Sequence, residues 1–157
     1  MDAFVVFAGH YLIFVVAFAA VIFALLSERK VRNRTIGLAL LAFPTALLIA
    51  WVAGHFYYHT RPFVVENVQP LIPHEPNNGF PSDHTLLATV SSAVVFIHSR
   101  KVGLLLGIMA LLIGASRVVA KLHYPVDILG GAAIAIASTD IAWLTLKRFA
   151  SRLTNIP

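Results

Sequence analysis

The chain has 157 residues, of which 59% are hydrophobic and 12% charged, and its mean hydropathy of +0.82 lies outside the range of ordinary soluble domains. It contains no cysteine, which excludes a disulfide framework and a thiolate metal site. The net charge of +5 is compatible with a nucleic-acid binder, but the cytoplasmic loops of a membrane protein collect basic residues in the same way. We therefore predict a protein of the bilayer, with no nucleic-acid partner.

Five apolar segments predict an all-α, polytopic membrane bundle of about five transmembrane helices. Ala3 to Leu26 is an uncharged stretch long enough to cross a hydrocarbon core that needs roughly 20 helical residues. No basic residue precedes it, so we expect an attached helix and not a cleaved signal peptide. Ile36 to Tyr58 forms the second segment, and the last three cover about 83–98, 102–120 and 126–146.

The basic residues predict how these segments are oriented. Nine of the twelve fall on one side, at Arg29, Lys30, Arg32, Arg34, Arg100, Lys101, Lys147, Arg148 and Arg152. By the positive-inside rule this side is cytoplasmic, together with the C-terminus. The N-terminus and a polar, proline-rich loop at about 59–83 then face outward, and we interpret residues 1–157 as a single domain. Arg61, Arg117 and Lys121 stay on the outer side, where the rule disfavours cations, and need another explanation.

Three polar clusters lie at segment ends that this topology brings to the outer face. They are Arg61 with Pro62, the run from Pro81 to His84, and Ser116 and Arg117 with His123 and Asp127. Ionisable groups near a bilayer are costly without partners or a function. The clusters therefore predict a pocket for an anion.

The sequence also indicates which residues of this pocket bind the anion. Ser82 precedes an apolar run and suits a helix N-cap, where free N–H groups and the helix dipole receive a phosphate oxygen. Arg61 and Arg117 can each offer a bidentate guanidinium to the same group.

The remaining residues suit nucleophilic catalysis. His123 lies just ahead of Pro125, and Asp127 falls in the first turn of the next helix, from where it can reach back to the imidazole and fix its tautomer. The other imidazole nitrogen is then free to attack phosphorus, so we predict His123 as the nucleophile. His84 remains as the acid that protonates the departing oxygen.

These residues resemble the three-part motif of the type 2 phosphatidic acid phosphatase family. That motif has Lys, six residues and Arg-Pro; then Pro-Ser-Gly-His; then Ser-Arg, five residues, His, three residues and Asp. The third part is intact here, the second is present as Pro-Ser-Asp-His at 81–84, and the first keeps Arg61 and Pro62. Pro-Ser-Asp-His, preceded by Tyr-Tyr-His-Thr-Arg-Pro-Phe, looks most like the bacterial undecaprenyl-diphosphate phosphatase branch.

The resemblance implies a multi-pass enzyme of the bacterial inner membrane with its active site on the periplasmic or extracellular side. It implies hydrolysis of the lipid diphosphate that carries cell-wall precursors, with no metal or other cofactor. Its partners would be a polyprenyl or glycerolipid phosphate and the membrane lipid. The sequence gives neither the lipid tail nor the oligomeric state.

The chain departs from the family pattern at two positions. Gly54 stands seven residues before Arg61, where the family has lysine, so one phosphate-binding charge is missing. We expect Lys121 to supply it, because an ammonium needs no particular fork geometry, with His55 or His59 as weaker candidates. Asp83 replaces the glycine of the second motif, which is tolerable if its side chain points away from the phosphate.

Three alternatives stay open at this point. The same chemistry can act on phosphatidylglycerol phosphate, phosphatidic acid or another lipid phosphate. A small proton-coupled transporter would spread ionisable residues through the membrane depth, where this sequence has only Asp140. A metal hydrolase could use His84, His123 and Asp127 as ligands, although two arginines beside a divalent cation disfavour it. We expect four interface histidines to be solvated or hydrogen-bonded: His10, His59, His74 and His98. We expect five polar residues to serve loop solvation, although such a loop could also touch a diphosphate or gate the pocket: Glu66, Asn67, Glu75, Asn77 and Asn78.

Overall fold

Five long helices follow one another in the computed structural model of the chain, which describes residues 2–154. They are α1 (Asp2–Leu26), α2 (Arg29–Phe56), α3 (Asp83–Phe96), α4 (Arg100–Val119) and α5 (Pro125–Thr154). A single helical turn, Pro62–Val65, interrupts the loop before α3, although the loop was predicted without helix. Within residues 2–154 there is no strand, only an isolated bridge between Thr60 and Asn78. The all-α prediction is confirmed.

Four of the helices are long and apolar enough to cross a membrane: α1, α2, α4 and the Pro125–Phe149 part of α5. The fifth, α3, has 14 residues and is about 21 Å long at the standard rise, shorter than a hydrocarbon core of about 30 Å. It contacts all four other helices. Because α3 is enclosed by protein, it need not match the thickness of the lipid.

Two apolar clusters meet on opposite faces of α3. Leu86, Val90 and Val94, four residues apart, pack with alanines of α2 and α5. Ala88 and Val95 pack with residues of α1 and α4 that include Val16 and Ile113. The outward faces of the bundle expose large apolar side chains, among them Phe18, Trp51 and Leu111. A small buried seam with an apolar exterior is the pattern of a protein solvated by lipid.

The antiparallel order of the helices separates two ends of the bundle. The turns at 27–28 and 97–99 lie at one end, here called the basic end, with Arg29, Lys30, Arg100 and Lys101 beside them. The loop at 57–82 and the turn at 120–124 lie at the other, here called the loop end. A third apolar cluster of Val5, Phe63, Ile72, Ala120 and Leu122 packs the loop onto the start of α1 and onto this turn. All three predicted polar clusters therefore meet at the loop end.

Candidate active site

The turn that carries His123 is fixed by the way α4 ends. Leu122 N–H donates to the Arg117 carbonyl at 3.1 Å and Lys121 N–H to the Val118 carbonyl at 3.0 Å, while Lys121 has a φ of 62°. This is the Schellman arrangement, in which one left-handed residue reverses the chain. Pro125 then starts α5, and the short turn holds the His123 side chain at 2% exposure.

The hydrogen bonds of the His123 ring define its tautomer. Nδ1 lies 2.9 Å from the Gly79 carbonyl oxygen, and Nε2 lies 3.1 Å from Nη1 of Arg61. A carbonyl only accepts and a guanidinium only donates, so Nδ1 carries the proton and Nε2 presents a lone pair. Burial, followed by the charges of Arg61 and Arg117, lowers the pKa of His123 from 6.5 to about 2. The imidazole is therefore neutral, and Nε2 is its unprotonated nitrogen.

Asp127 lies beside His123 but makes its hydrogen bonds elsewhere. Its Oδ2 is 3.6 Å from His123 Nδ1 and accepts the Tyr124 backbone N–H at 2.8 Å, while Oδ1 is 2.6 Å from Nδ1 of His59. The prediction that Asp127 fixes the tautomer of His123 is corrected: the Gly79 carbonyl does so. The physical reason is that a carboxylate in the first turn of α5 returns to the N–H that precedes its own helix, as in one half of a capping box.

Arg61 is buried, with 5% exposure, and all three nitrogens of its guanidinium have partners within the protein. Nε donates to the Asn77 amide oxygen at 3.0 Å, Nη1 to the Leu122 carbonyl at 2.9 Å and Nη2 to the Asn78 carbonyl at 3.0 Å. These bonds tie the loop to the turn that carries His123. Arg61 is thus held in place before any ligand arrives.

Arg117 is also buried, with 2% exposure, but it makes fewer hydrogen bonds within the protein than Arg61 does. Nη1 donates to the Gly9 carbonyl at 3.2 Å, and Nε has no hydrogen-bond partner in the described part of the chain. Gly9 belongs to a π-helical turn of α1, Phe7–Tyr11, a distortion that is frequent at functional sites. A buried guanidinium with an N–H that lacks an acceptor is well suited to bind an anionic oxygen, because native proteins rarely leave such groups unpaired.

Ser82 and His84 come to the same place from the start of α3. Ser82 is fully buried at the N-cap position; its Oγ accepts from Thr85 at 3.2 Å and makes no capping bond of its own. His84 lies within electrostatic range of Arg117 and Arg61, so these three side chains share one region.

His59 and His74, which were expected to be solvated or hydrogen-bonded without a part in the site, also lie in this region. His59 is hydrogen-bonded to Asp127, and the loop places His74 where it interacts electrostatically with Arg61, Arg117 and Asp83. Burial lowers the pKa of His74 below 6.5. The segment Tyr-Tyr-His-Thr-Arg-Pro-Phe contains His59 but does not indicate its partner, and no local pattern marks His74, because both contacts depend on how the loop folds back.

Asn78 anchors the loop and was also missed. Its Oδ1 accepts from the N–H groups of His59 and Phe80 at 2.8 and 3.0 Å, and its Nδ2 donates to the carbonyls of Gly54 and Tyr57 at 2.9 and 3.1 Å. All four bonding positions of the amide are used. The run Asn-Asn-Gly at 77–79 is a turn signal that could have drawn attention to it.

Two glycines permit the close approach of this loop. A Cβ on Gly79 would lie 3.0 Å from the His59 carbonyl and 3.4 Å from Asp127. A Cβ on Gly54 would lie 3.0 Å from the Phe80 carbonyl. The loop segment that holds His123 therefore lies close to Gly54, where a side chain would crowd the Phe80 carbonyl.

Lys121 has a different partner from the one expected. Its ammonium lies 3.0 Å from the Glu66 carboxylate, and both side chains are about half-exposed, at 51% and 41%. The structure brings Arg61, Ser82, His84, Arg117, His123 and Asp127 together but directs the Lys121 charge to Glu66.

A metal centre built on His84, His123 and Asp127 was another alternative, and no group of three His, Cys, Asp or Glu side chains in residues 2–154 is arranged to hold a metal ion.

A neutral, buried imidazole that contacts one guanidinium and lies in the field of a second, at one end of a membrane helix bundle, has the chemistry suited to a phosphate ester or anhydride. Residues 51–150 match the family model of the PAP2 superfamily, and the chain belongs to this superfamily. It is a multi-pass membrane enzyme, a lipid phosphatase, as the motif resemblance implied.

Individual relatives agree with this assignment. The chain is 36% identical to the undecaprenyl-diphosphatase BcrC of Bacillus subtilis over 138 residues, which cover 87% of this chain and 70% of that protein. The crystal structure of Aquifex aeolicus LpxE superposes with a TM-score of 0.65 and 26% identity, covering 83% of this chain and 86% of LpxE. A phosphatidylglycerolphosphate phosphatase from B. subtilis shares the fold, with a TM-score of 0.59 and 20% identity over 99% of this chain and 87% of its own.

Proposed function

We propose that this lipid phosphatase hydrolyses undecaprenyl diphosphate to undecaprenyl phosphate and inorganic phosphate through a phosphohistidine at His123. The observation that carries the chemistry is the unprotonated Nε2 of His123, 3.1 Å from Arg61. The choice of lipid is supported by the similarity to an undecaprenyl-diphosphatase over most of both chains.

In the first step His123 Nε2 attacks the terminal phosphorus in line with the bridging oxygen. The N–P bond forms as the bond to the bridging oxygen breaks, and His84, which takes up a proton when the anionic substrate binds beside it, gives that proton to the departing lipid phosphate. Arg117, whose Nε is otherwise unpartnered in the described residues, and the Ser82 hydroxyl bind the equatorial oxygens. Nη1 of Arg61 moves its hydrogen bond from Nε2 to a phosphoryl oxygen, while its other bonds hold the group in position. Donors fixed in advance around the transferring group are the main source of catalysis in phosphoryl transfer.

The phosphorylated imidazole carries a positive charge that the site is built to accept. Nδ1–H remains on the Gly79 carbonyl, and the Asp127 carboxylate lies 3.6 Å from the same nitrogen. In the second step a water attacks phosphorus and gives its proton to the now neutral His84. The N–P bond breaks, inorganic phosphate leaves, and the starting state is restored.

The active site then opens on the periplasmic or extracellular face of the bacterial plasma membrane. The support is the distribution of charge, because the basic end carries most of the chain's lysines and arginines and would be cytoplasmic. The N-terminus and the 57–82 loop would lie outside. Since the chain lacks cysteine, a single Val68→Cys in the exposed loop should react with a membrane-impermeant maleimide on intact cells. Lys101→Cys at the basic end is the matched control and should react only after the cells are permeabilised.

The substrate is tested by measuring phosphate release from undecaprenyl diphosphate, phosphatidylglycerol phosphate and phosphatidic acid at equal mole fraction in nanodiscs. We expect the highest kcat/KM for the polyprenyl diphosphate, no change on chelation, and loss of activity in His123→Gln. A preference for a glycerolipid monophosphate would assign the chain to a different substrate within the same superfamily. Activity that chelation removes and a divalent cation restores would contradict the phosphohistidine route.

A further inference from the structure

His59 is the nearest hydrogen-bonding partner of the buried carboxylate in the site. Its Nδ1 lies 2.6 Å from Oδ1 of Asp127, whose side chain is fully buried, while the His59 side chain is 25% exposed. The imidazole also lies against Tyr124 and Tyr57, at ring-centroid distances of 4.8 and 5.6 Å. His59 thus connects Asp127 to the surface of the site.

The carboxylate of Asp127 depends on this contact. Oδ2 is satisfied by the Tyr124 N–H, but the only side-chain hydrogen bond of Oδ1 in residues 2–154 is the one to His59. A buried carboxylate oxygen without a donor is strongly disfavoured, so its loss would let Asp127 rotate or draw in water. The distance of 3.6 Å between Oδ2 and His123 Nδ1 would then no longer be defined.

We propose that His59 is a positioning residue, which holds the Asp127 carboxylate against Nδ1 of His123 so that it meets the charge formed on the phosphorylated imidazole. This inference rests on the proposed function of His123. His59 has no hydrogen bond to His123 in residues 2–154, so we expect it to act through Asp127. Before attack the neutral His123 needs only the Gly79 carbonyl, so the contribution of His59 belongs to the transition state and the intermediate, and should change kcat more than KM.

Two substitutions separate the hydrogen bond from the packing of the ring. His59→Phe keeps a ring against Tyr124 and removes the donor; His59→Asn keeps an N–H near the position of Nδ1 and removes most of the ring. We expect His59→Phe to lower kcat by roughly ten- to a hundredfold, the range for one hydrogen bond to a charged group, with KM changed less than about threefold. His59→Asn should recover most of the loss. In an Asp127→Asn background, His59→Phe should cost little more, because two residues that act through one contact are not additive.

A readout that needs no lipid separates this inference from the substrate assignment. Vanadate, which mimics the phosphoryl group bonded to the nucleophile, should raise the melting temperature of the wild type and of His59→Asn, and raise that of His59→Phe much less. The inference is overturned if His59→Phe matches the wild type in kcat and in the vanadate shift. It is equally overturned if Phe is tolerated and Asn is not, or if the effects of His59 and Asp127 add. A wild type that binds vanadate but hydrolyses none of the lipids contradicts the proposed function and leaves the vanadate comparison to decide on His59. A wild type that neither hydrolyses a lipid nor responds to vanadate contradicts both.

Discussion

Arg61 in the loop and Arg117 at the end of α4 are both buried at the loop end, but their guanidinium groups differ in the number of hydrogen bonds that they make with the protein. Arg61 makes bonds to Asn77, Asn78 and Leu122 and a further contact with His123. Arg117 makes one bond, of 3.2 Å, to a carbonyl in the π-helical turn of α1. Arg61 is therefore part of the hydrogen-bonded framework around His123, whereas Arg117 keeps a donor that we propose for a phosphate oxygen.

The comparison shows how a site without a full set of motif charges can still work. The loop is fixed by its own hydrogen bonds, so His123 is aligned in the absence of substrate and little reorganisation remains for the reaction itself. The incompletely paired guanidinium of Arg117 costs stability, and we expect it to gain its partner when a phosphate binds. The division of tasks between the two arginines can be tested by changing each alone.

The largest difference is expected between Arg61→Ala and Arg117→Ala. Each should lower kcat/KM by about a hundred- to a thousandfold, as for the loss of one preorganised donor. Arg61→Ala should also lower the melting temperature, because the oxygens of Asn77, Asn78 and Leu122 lose a donor, at about 1–3 kcal/mol for each buried group left unsatisfied. Arg117→Ala should leave the melting temperature unchanged or raise it. Thermal unfolding followed by tryptophan fluorescence checks this, and an equal loss of stability in the two variants would remove the distinction.

The next effect concerns the anchor of the loop. Asn78→Asp keeps the oxygen that accepts from His59 and Phe80 but loses the N–H donors to Gly54 and Tyr57. We expect kcat/KM to fall about tenfold or more, through a misplaced Gly79 carbonyl, with a loss of roughly 2 kcal/mol of stability for two broken bonds. Asn67→Asp, in the same loop, is the control and should behave like the wild type. Faster proteolysis within residues 57–82 of Asn78→Asp should accompany the loss; full activity would show that the loop is held by other contacts.

The sequence predicted the helices better than it predicted the connections of the site. Hydrophobic runs and basic clusters are properties of composition, and they gave five helices with all motif residues at one end. The roles of Asn78, His59 and the Gly79 carbonyl arise from a loop that folds back over 19 to 68 residues of sequence separation, which no local pattern encodes. Asp127 was correctly placed next to His123, but its hydrogen bonds were not predicted, because a capping carboxylate has two candidate partners and only the fold decides between them.

A smaller but sharper effect is expected in the titration of His123. Its lowered pKa means that the neutral form persists as the pH falls through 6.5, and protonation occurs only far below. In protein labelled with ¹⁵N-histidine, the Nε2 signal of His123 is identified by its absence from the spectrum of His123→Gln. In the wild type this signal should remain that of an unprotonated imidazole nitrogen between pH 8 and pH 5. In Arg61→Ala the pKa should rise, since a nearby positive charge is removed. A protonation midpoint near 6.5 in the wild type would contradict the burial of the nucleophile.

The smallest effect is expected at Lys121, because its half-exposed ammonium lies outside the cluster of buried site residues. Exposed ion pairs contribute about 0–1 kcal/mol, so Lys121→Ala, which breaks the pair with Glu66, should change kcat/KM by less than about fivefold. Glu66→Gln breaks the same pair and should behave alike. Lys121→Gly preserves the left-handed backbone at this position and should be at least as stable as Lys121→Ala. A ten- to a hundredfold loss in Lys121→Ala alone would place the ammonium at the phosphate, as the sequence suggested.

The central claim is that His123 receives the phosphoryl group on Nε2, and it can be measured directly. Wild-type enzyme mixed with β-³²P-labelled undecaprenyl diphosphate and quenched in base within milliseconds should carry acid-labile, base-stable label, and peptide mapping should locate it on His123. In Asp127→Asn the charged intermediate is less well stabilised, so the amount of label compared with the wild type shows whether the intermediate depends on this carboxylate. His123→Gln should carry no label. Phosphate release by an active wild type without label at any time, or label in His123→Gln, would contradict the account.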